Sequence, residues 1–167
     1  MRKIATVMIA FVCLLGACSS NDTSKETKDI ISNVTWYASD GSAMVLKDDT
    51  FAWYLDEDVQ DDNVYKGTYD VYYGEDAINY ITTDLKDYGV SEDELEDQFN
   101  RNDDQSKENL CVFVLHNTSA IVDGEETEFD PYDTPYFGFY YEDDDKTTLD
   151  LANMNTGNYA TFKNVKE

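Results

Sequence analysis

Histidine occurs once in the 167 residues, as His116, and that scarcity excludes any multi-histidine metal site. Basic residues are also few: 12 Lys and Arg stand against 36 Asp and Glu, for a net charge of −24. Such a surface repels nucleic acids and anionic lipids, so no nucleic-acid partner is expected; divalent cations and cationic peptides would be attracted instead. Glycine-rich phosphate loops, basic patches and paired metal-site cysteines are missing from the sequence. Its one extended apolar run, residues 4–15, falls short of the roughly 20 residues a membrane-spanning helix needs. Carboxylates are too numerous, and too free of any motif, to select a glycosidase-like pair among them. With no nucleophile motif either, the chain does not read as an enzyme.

Aromatic residues, by contrast, are plentiful. Strong acidity with few aromatics would signal disorder, but 13 Tyr, 8 Phe and 2 Trp give this chain enough apolar surface for a core. Every Tyr lies beyond residue 33, which places that core in the later part of the chain, in a length suited to one domain.

The first residues have the layout of an export signal, with Arg2 and Lys3 ahead of the apolar run. Leu15-Gly16-Ala17-Cys18 resembles the lipobox of bacterial lipoproteins. That resemblance implies cleavage before Cys18, lipidation of its thiol, and a mature chain anchored at the extracytoplasmic face of a bacterial cell membrane without spanning it. The organisation expected is a signal peptide over residues 1–17, a lipidated polar tether over 18–32 and a single β-rich domain over 33–167. Cys13 would leave with the signal and Cys18 would carry lipid, so Cys111 would be alone, a buried and inert thiol with no disulfide partner.

From Val34 onward, short alternating segments separated by Asp, Asn and Gly predict antiparallel strands. The segments are 34–38, 43–46, 50–55, 65–73, 110–116, 119–122, 136–141, 147–153 and 159–163. In the fourth, Tyr65, Gly67, Tyr69, Val71 and Tyr73 would share one face. Between residues 75 and 88 the period changes: Ile78, Ile81, Leu85 and Tyr88 form a helical stripe that Gly89 would stop. Ser91 and Glu94 form a capping box opening a second helix to about residue 101, with Leu95 and Phe99 as its apolar face. Residues 110–115 are apolar on both faces, which a helix pair packed over one face of the sheet would explain.

The expected fold is mainly β: an antiparallel barrel or strongly bent meander sheet of about eight strands with a two-helix insertion. Trp36 near the start of the first strand, the meander, and the closing Asn155-Thr156-Gly157-Asn158-Tyr159 segment are similar to lipocalin-like β-barrel domains of Gram-positive lipoproteins. The resemblance implies a barrel with a ligand cavity.

Aromatic residues are the candidate binding surface. Trp36, Trp53, Tyr69, Tyr73, Tyr136 and Tyr140 would line a barrel mouth or open sheet face suited to a peptide or sugar ring, or else fill the core. Asp56, Asp58, Asp61 and Asp62 place oxygen ligands at loop spacing, so Ca2+ is the one cofactor the sequence raises, without an EF-hand pattern. His116, after an apolar strand, reads as a capped strand end. The function expected is a membrane-anchored envelope module that binds a small molecule, peptide or glycan; the alternative is an assembly or immunity lipoprotein acting by contact with an envelope protein.

Overall fold

A computed structural model describes residues 31–60, 62–143 and 146–165. Strands β1 (Thr35–Ala38), β2 (Ala43–Lys47), β3 (Thr50–Tyr54) and β4 (Val64–Tyr73) form an antiparallel meander. Gly41 (φ 88°) and Asp48 (φ 54°) take the left-handed conformations of the two tight turns between β1, β2 and β3. Helices α1 (Gly74–Thr83) and α2 (Glu92–Arg101) follow, then β5 (Leu110–Val122), the two-residue β6 (Glu125–Glu126), β7 (Tyr132–Asp143), β8 (Lys146–Asn153) and β9 (Tyr159–Lys163). Pairing runs β4-β3-β2-β1-β9-β8-β7-β5, and β5 returns to pair with β4. The result is a closed eight-stranded antiparallel barrel, with β6 hanging on β5 as a short hairpin.

Closure bends the strands hardest at two glycines. A Cβ on Gly67 would run into the carbonyl of His116, and one on Gly138 into the carbonyl of Asp150. Only a residue without a side chain admits that backbone approach. Gly67 also sits at the register shift between β4 and β5, a bulge that tightens the local twist. The shortest seam is β1 against β9, where two residue pairs meet.

Period-two alternation along β5 divides the apolar residues between two cores. Cys111, Phe113 and Leu115 point into the barrel with Trp36, Met44, Leu46, Phe51, Tyr69, Leu149, Leu151 and Phe162. Val112 and Val114 point outward, where Ala77, Ile78 and Ile81 of α1 and Leu95 of α2 cover them together with Leu110 and Phe139. The helix pair therefore lies on the outer wall over β5 and β7, as the two-faced apolar run requires. Cys111 is fully buried, and burial pushes its thiol well above the ordinary range, so it packs as a small apolar group.

Several elements differ from the sequence expectation. The helix expected over 75–88 ends at Thr83, where the Thr82 and Thr83 hydroxyls donate back to the carbonyls of Ile78 and Asn79, and a short 3-10 turn (Lys86–Tyr88) closes at left-handed Gly89. Segments 110–116 and 119–122 are one strand, because buried Asn117 continues the ladder instead of turning it. β7 starts at Tyr132, four residues ahead of the expected segment 136–141. The packed domain also takes in Ile31 and Ser32, assigned above to the tether: Ile31 is fully buried and its carbonyl accepts the Trp36 indole N–H at 3.2 Å. Cys18 and the rest of residues 1–30 lie outside the described residues, as do Asp61, Asp144 and Asp145. Among the described residues, no helix is long and apolar enough to cross a membrane.

Candidate functional site

The barrel interior is filled by side chains, and the open space lies at one end. There the alternation that carries Phe113 and Leu115 inward along β5 next presents Asn117. Around it stand Trp53 from β3, Tyr65 from β4, Tyr132, Thr134 and Tyr136 from β7, Asn153 from the end of β8, and Asn155 and Thr156 from the following turn. They enclose about 290 Å³ above Leu115, with Leu55 on the rim. In a chain of net charge −24, none of these lining residues is charged. Burial also holds the phenols of Tyr132 and Tyr136 above their ordinary titration range, so both stay neutral at physiological pH.

The walls are set rigidly. Trp53 packs edge-on against Phe162 (5.5 Å between ring centroids) and at 41° to Tyr136 (5.7 Å). Asn117 Nδ2 donates to the carbonyls of Leu115 (3.1 Å) and Tyr132 (3.2 Å) and to Thr134 Oγ1 (3.0 Å). Two carbonyl acceptors fix that end of the amide as nitrogen. Asn153 accepts from the backbone N–H groups of Asn155 and Thr156 and donates to the Tyr136 hydroxyl, which leaves that hydroxyl's own proton available as a donor. On the outer side, Tyr88 donates to Asn155 Oδ1 at 2.5 Å and braces the turn. One polar atom lacks a partner: Trp53 Nε1 is buried and makes no hydrogen bond. Orphaned donors of this kind are rare in folded proteins and costly where they occur.

Of the six aromatic residues proposed for binding, the structure brings Trp53 and Tyr136 to the mouth and places the other four elsewhere. Trp36 is buried in the barrel core. Tyr69 is buried too, and its hydroxyl donates to the Asp48 carbonyl (2.9 Å) and meets Ser32 Oγ (3.1 Å). Tyr73 packs near the opposite end of the barrel, edge-on to Tyr140, whose own hydroxyl donates to the Glu108 carbonyl. These four fill or close the core because alternation puts them inside at levels where the barrel is already full. Tyr65, Tyr132, Asn117, Asn153 and Asn155 were not singled out from sequence. Asn is a frequent turn residue, and only the closure of the ring shows which Asn faces inward.

Asp56 Oδ1 accepts the Asp58 backbone N–H in a local turn, and the Asp62 carbonyl accepts from Gly124. Among the described residues, no group of three or more His, Cys, Asp or Glu side chains is placed to hold a metal ion.

His116 is not at a strand end; it stands mid-strand on the outer wall. Its Nδ1 lies 2.7 Å from Asp133 Oδ1 and its Nε2 3.0 Å from Asp70 Oδ2. The Asp70 hydrogen bond most of all, with the Asp133 bond and both charges, raises its pKa against the opposing effect of burial. Once protonated, the ring donates from each nitrogen to a carboxylate, so neither is left to bind a metal, and the trio acts as a clamp across β4, β5 and β7.

A larger hollow of about 460 Å³ lies at the β1–β9 seam, lined by Tyr37, Ser39, Glu57, Thr161 and Lys163 among others. It is a groove on the outer wall reaching Val165, beside residues outside the described set. The mouth is the stronger candidate because its groups converge from five strands on an uncharged aromatic lining.

Fold and site together define a closed antiparallel barrel, helix-covered on one wall, with a small uncharged aromatic mouth. No family model matches the chain, and comparison with curated proteins and with solved structures finds no match either.

Proposed function

We propose that this protein is a lipid-anchored, extracytoplasmic binding module whose ligand seats in the barrel mouth. The observation that carries the reading is the uncharged aromatic lining in a chain whose surface is otherwise densely acidic. For the anchor, support comes from the Leu15-Gly16-Ala17-Cys18 motif behind its basic and apolar flanks. The domain of such a lipoprotein would be held near the membrane by its tether.

Two measurements test the reading. In 15N-labelled protein, the two indole N–H signals report separately: Trp36 is held by the Ile31 carbonyl, while Trp53 faces the mouth. Screening a mixed library of small fragments should move the Trp53 signal and leave that of Trp36 in place. A library that moves neither refutes a ligand site at the mouth. Intact mass of protein extracted from native membranes should show a chain beginning at Cys18 with acyl mass, lost in Cys18→Ala; an unmodified chain retaining Met1 refutes the anchor.

A second reading has its own observation. Leu55 and Tyr132 on the rim are each about half exposed, and apolar groups so placed suit an envelope protein that caps the mouth. Under that reading, fragments leave Trp53 unmoved and a protein partner protects Tyr132 from solvent.

A further inference from the structure

We infer that the ligand of the mouth is an uncharged pyranose ring, free or at the end of a glycan. The inference rests on the reading of the mouth as the binding site and names its ligand class.

Charge comes first. No lining residue offers a counter-ion, so a carboxylate, phosphate or ammonium group would enter a partly dry site unpaired, which is costly. His116, next to Asn117 in the wall, is turned outward and already engaged by Asp70 and Asp133.

Polarity comes second. The Tyr136 hydroxyl has a proton to give, and Asn117 is oriented with Nδ2 consumed, so its Oδ1 is the end left to accept. Sugar hydroxyls both donate and accept, and they match this neutral mixture. A purely apolar ligand would leave those groups dry and unpaired. A long acyl chain is also excluded by length, because Phe113, Leu115 and Phe162 fill the barrel beneath the mouth.

Shape comes third. Trp53, Tyr65, Tyr132 and Tyr136 supply aromatic surface for the C–H side of a pyranose, and 290 Å³ lies at the low end of ligand pockets, suited to one or two rings. A peptide adding as a strand would need an open edge, and the strands around the mouth are paired into a closed ring.

The test titrates the full chain with methyl glucoside, methyl galactoside, N-acetylglucosamine and a neutral disaccharide, read at the Trp53 indole N–H. Glucuronate, indole and an uncharged tripeptide serve as comparisons. At least one neutral sugar should give a saturable Trp53 shift that leaves Trp36 unmoved, and glucuronate should give none. Tyr136→Phe, which keeps the aromatic ring and deletes the hydroxyl while leaving the Trp53 reporter in place, should weaken that sugar about tenfold, the equivalent of one hydrogen bond. Tyr132→Ala, on the exposed rim, provides a second variant that should also weaken the sugar. Tighter binding of the disaccharide than of its methyl glycoside identifies a glycan end as the source, and the reverse order a free sugar; either supports the inference. Indole or tripeptide moving Trp53 while every sugar fails overturns the sugar assignment and leaves the mouth as a binding site. A Trp53 signal that nothing moves overturns both.

Discussion

Tyr69 and Tyr73 lie on the same inward face of β4, four residues apart, yet deleting their hydroxyls should change stability in opposite directions. The Tyr73 hydroxyl is buried and makes no hydrogen bond, beside Cys111, and burial pushes its pKa far above the phenol range. A buried polar group in that state costs about 1–3 kcal/mol, so Tyr73→Phe should stabilise the domain by about 1 kcal/mol, allowing for the packing lost with the oxygen. For a domain of this length that is roughly a 3–5 °C rise in melting temperature. The Tyr69 hydroxyl, in contrast, reaches the Asp48 carbonyl and Ser32 Oγ, and it ties the β2–β3 turn to the start of the domain. Tyr69→Phe removes both bonds and leaves Ser32, itself buried, with one partner fewer. The expected cost is about 1–3 kcal/mol. Urea unfolding of both variants, with the m-value unchanged, measures each sign directly. Destabilisation of Tyr73→Phe by as much as Tyr69→Phe would refute the reasoning, because it would mean that the Tyr73 hydroxyl has a partner, such as a buried water.

Leu95 is the anchor of α2 on the outer wall and is almost fully buried; Leu95→Ala should cost about 2–5 kcal/mol in the same urea assay. Gly138→Ala should be severe, about 3 kcal/mol or more, because the new methyl meets the Asp150 backbone where neither strand can retreat; a variant that folds with the wild-type midpoint would show that the strands do not approach as described. The His116 clamp gives a pH dependence whose sign follows from its raised pKa. Its contribution is fully present below the unfolded value near 6.5 and is lost as pH rises through the folded value. The stability gap between wild type and His116→Gln should therefore narrow from pH 6 to pH 9 in urea titrations, and a gap that widens would contradict the clamp.

Local signals were legible in the sequence where the structure they specify is local. Ser91 and Glu94 make the expected capping box, Ser91 Oγ accepting the Glu94 N–H while the Glu94 carboxylate accepts the Ser91 N–H, a motif complete within four residues. The strand over Tyr159–Lys163 and the helix cover over residues 110–115 were likewise readable, since alternation and two-faced hydrophobicity carry their own geometry. Asn117 shows the limit. As a polar residue after an apolar run it reads as a turn, but its amide finds acceptors on Tyr132 and Thr134, which lie on β7, 15 and 17 residues away. Tyr69, Tyr73, Trp53 and Tyr136 are similarly alike in sequence, and the level each occupies along the barrel axis decides which pack and which line the mouth.

Composition and period by themselves determined a mainly β chain with two helices, a core rich in aromatics, and no set of histidines for a metal site. Only the tertiary structure decided that the sheet closes, that the open space lies at one end, and that three Asn and four aromatic residues meet there without a charge. The physical reason is that alternation specifies which way a side chain points, while its neighbours across the barrel depend on register and closure, and those are set by contacts distant in the chain.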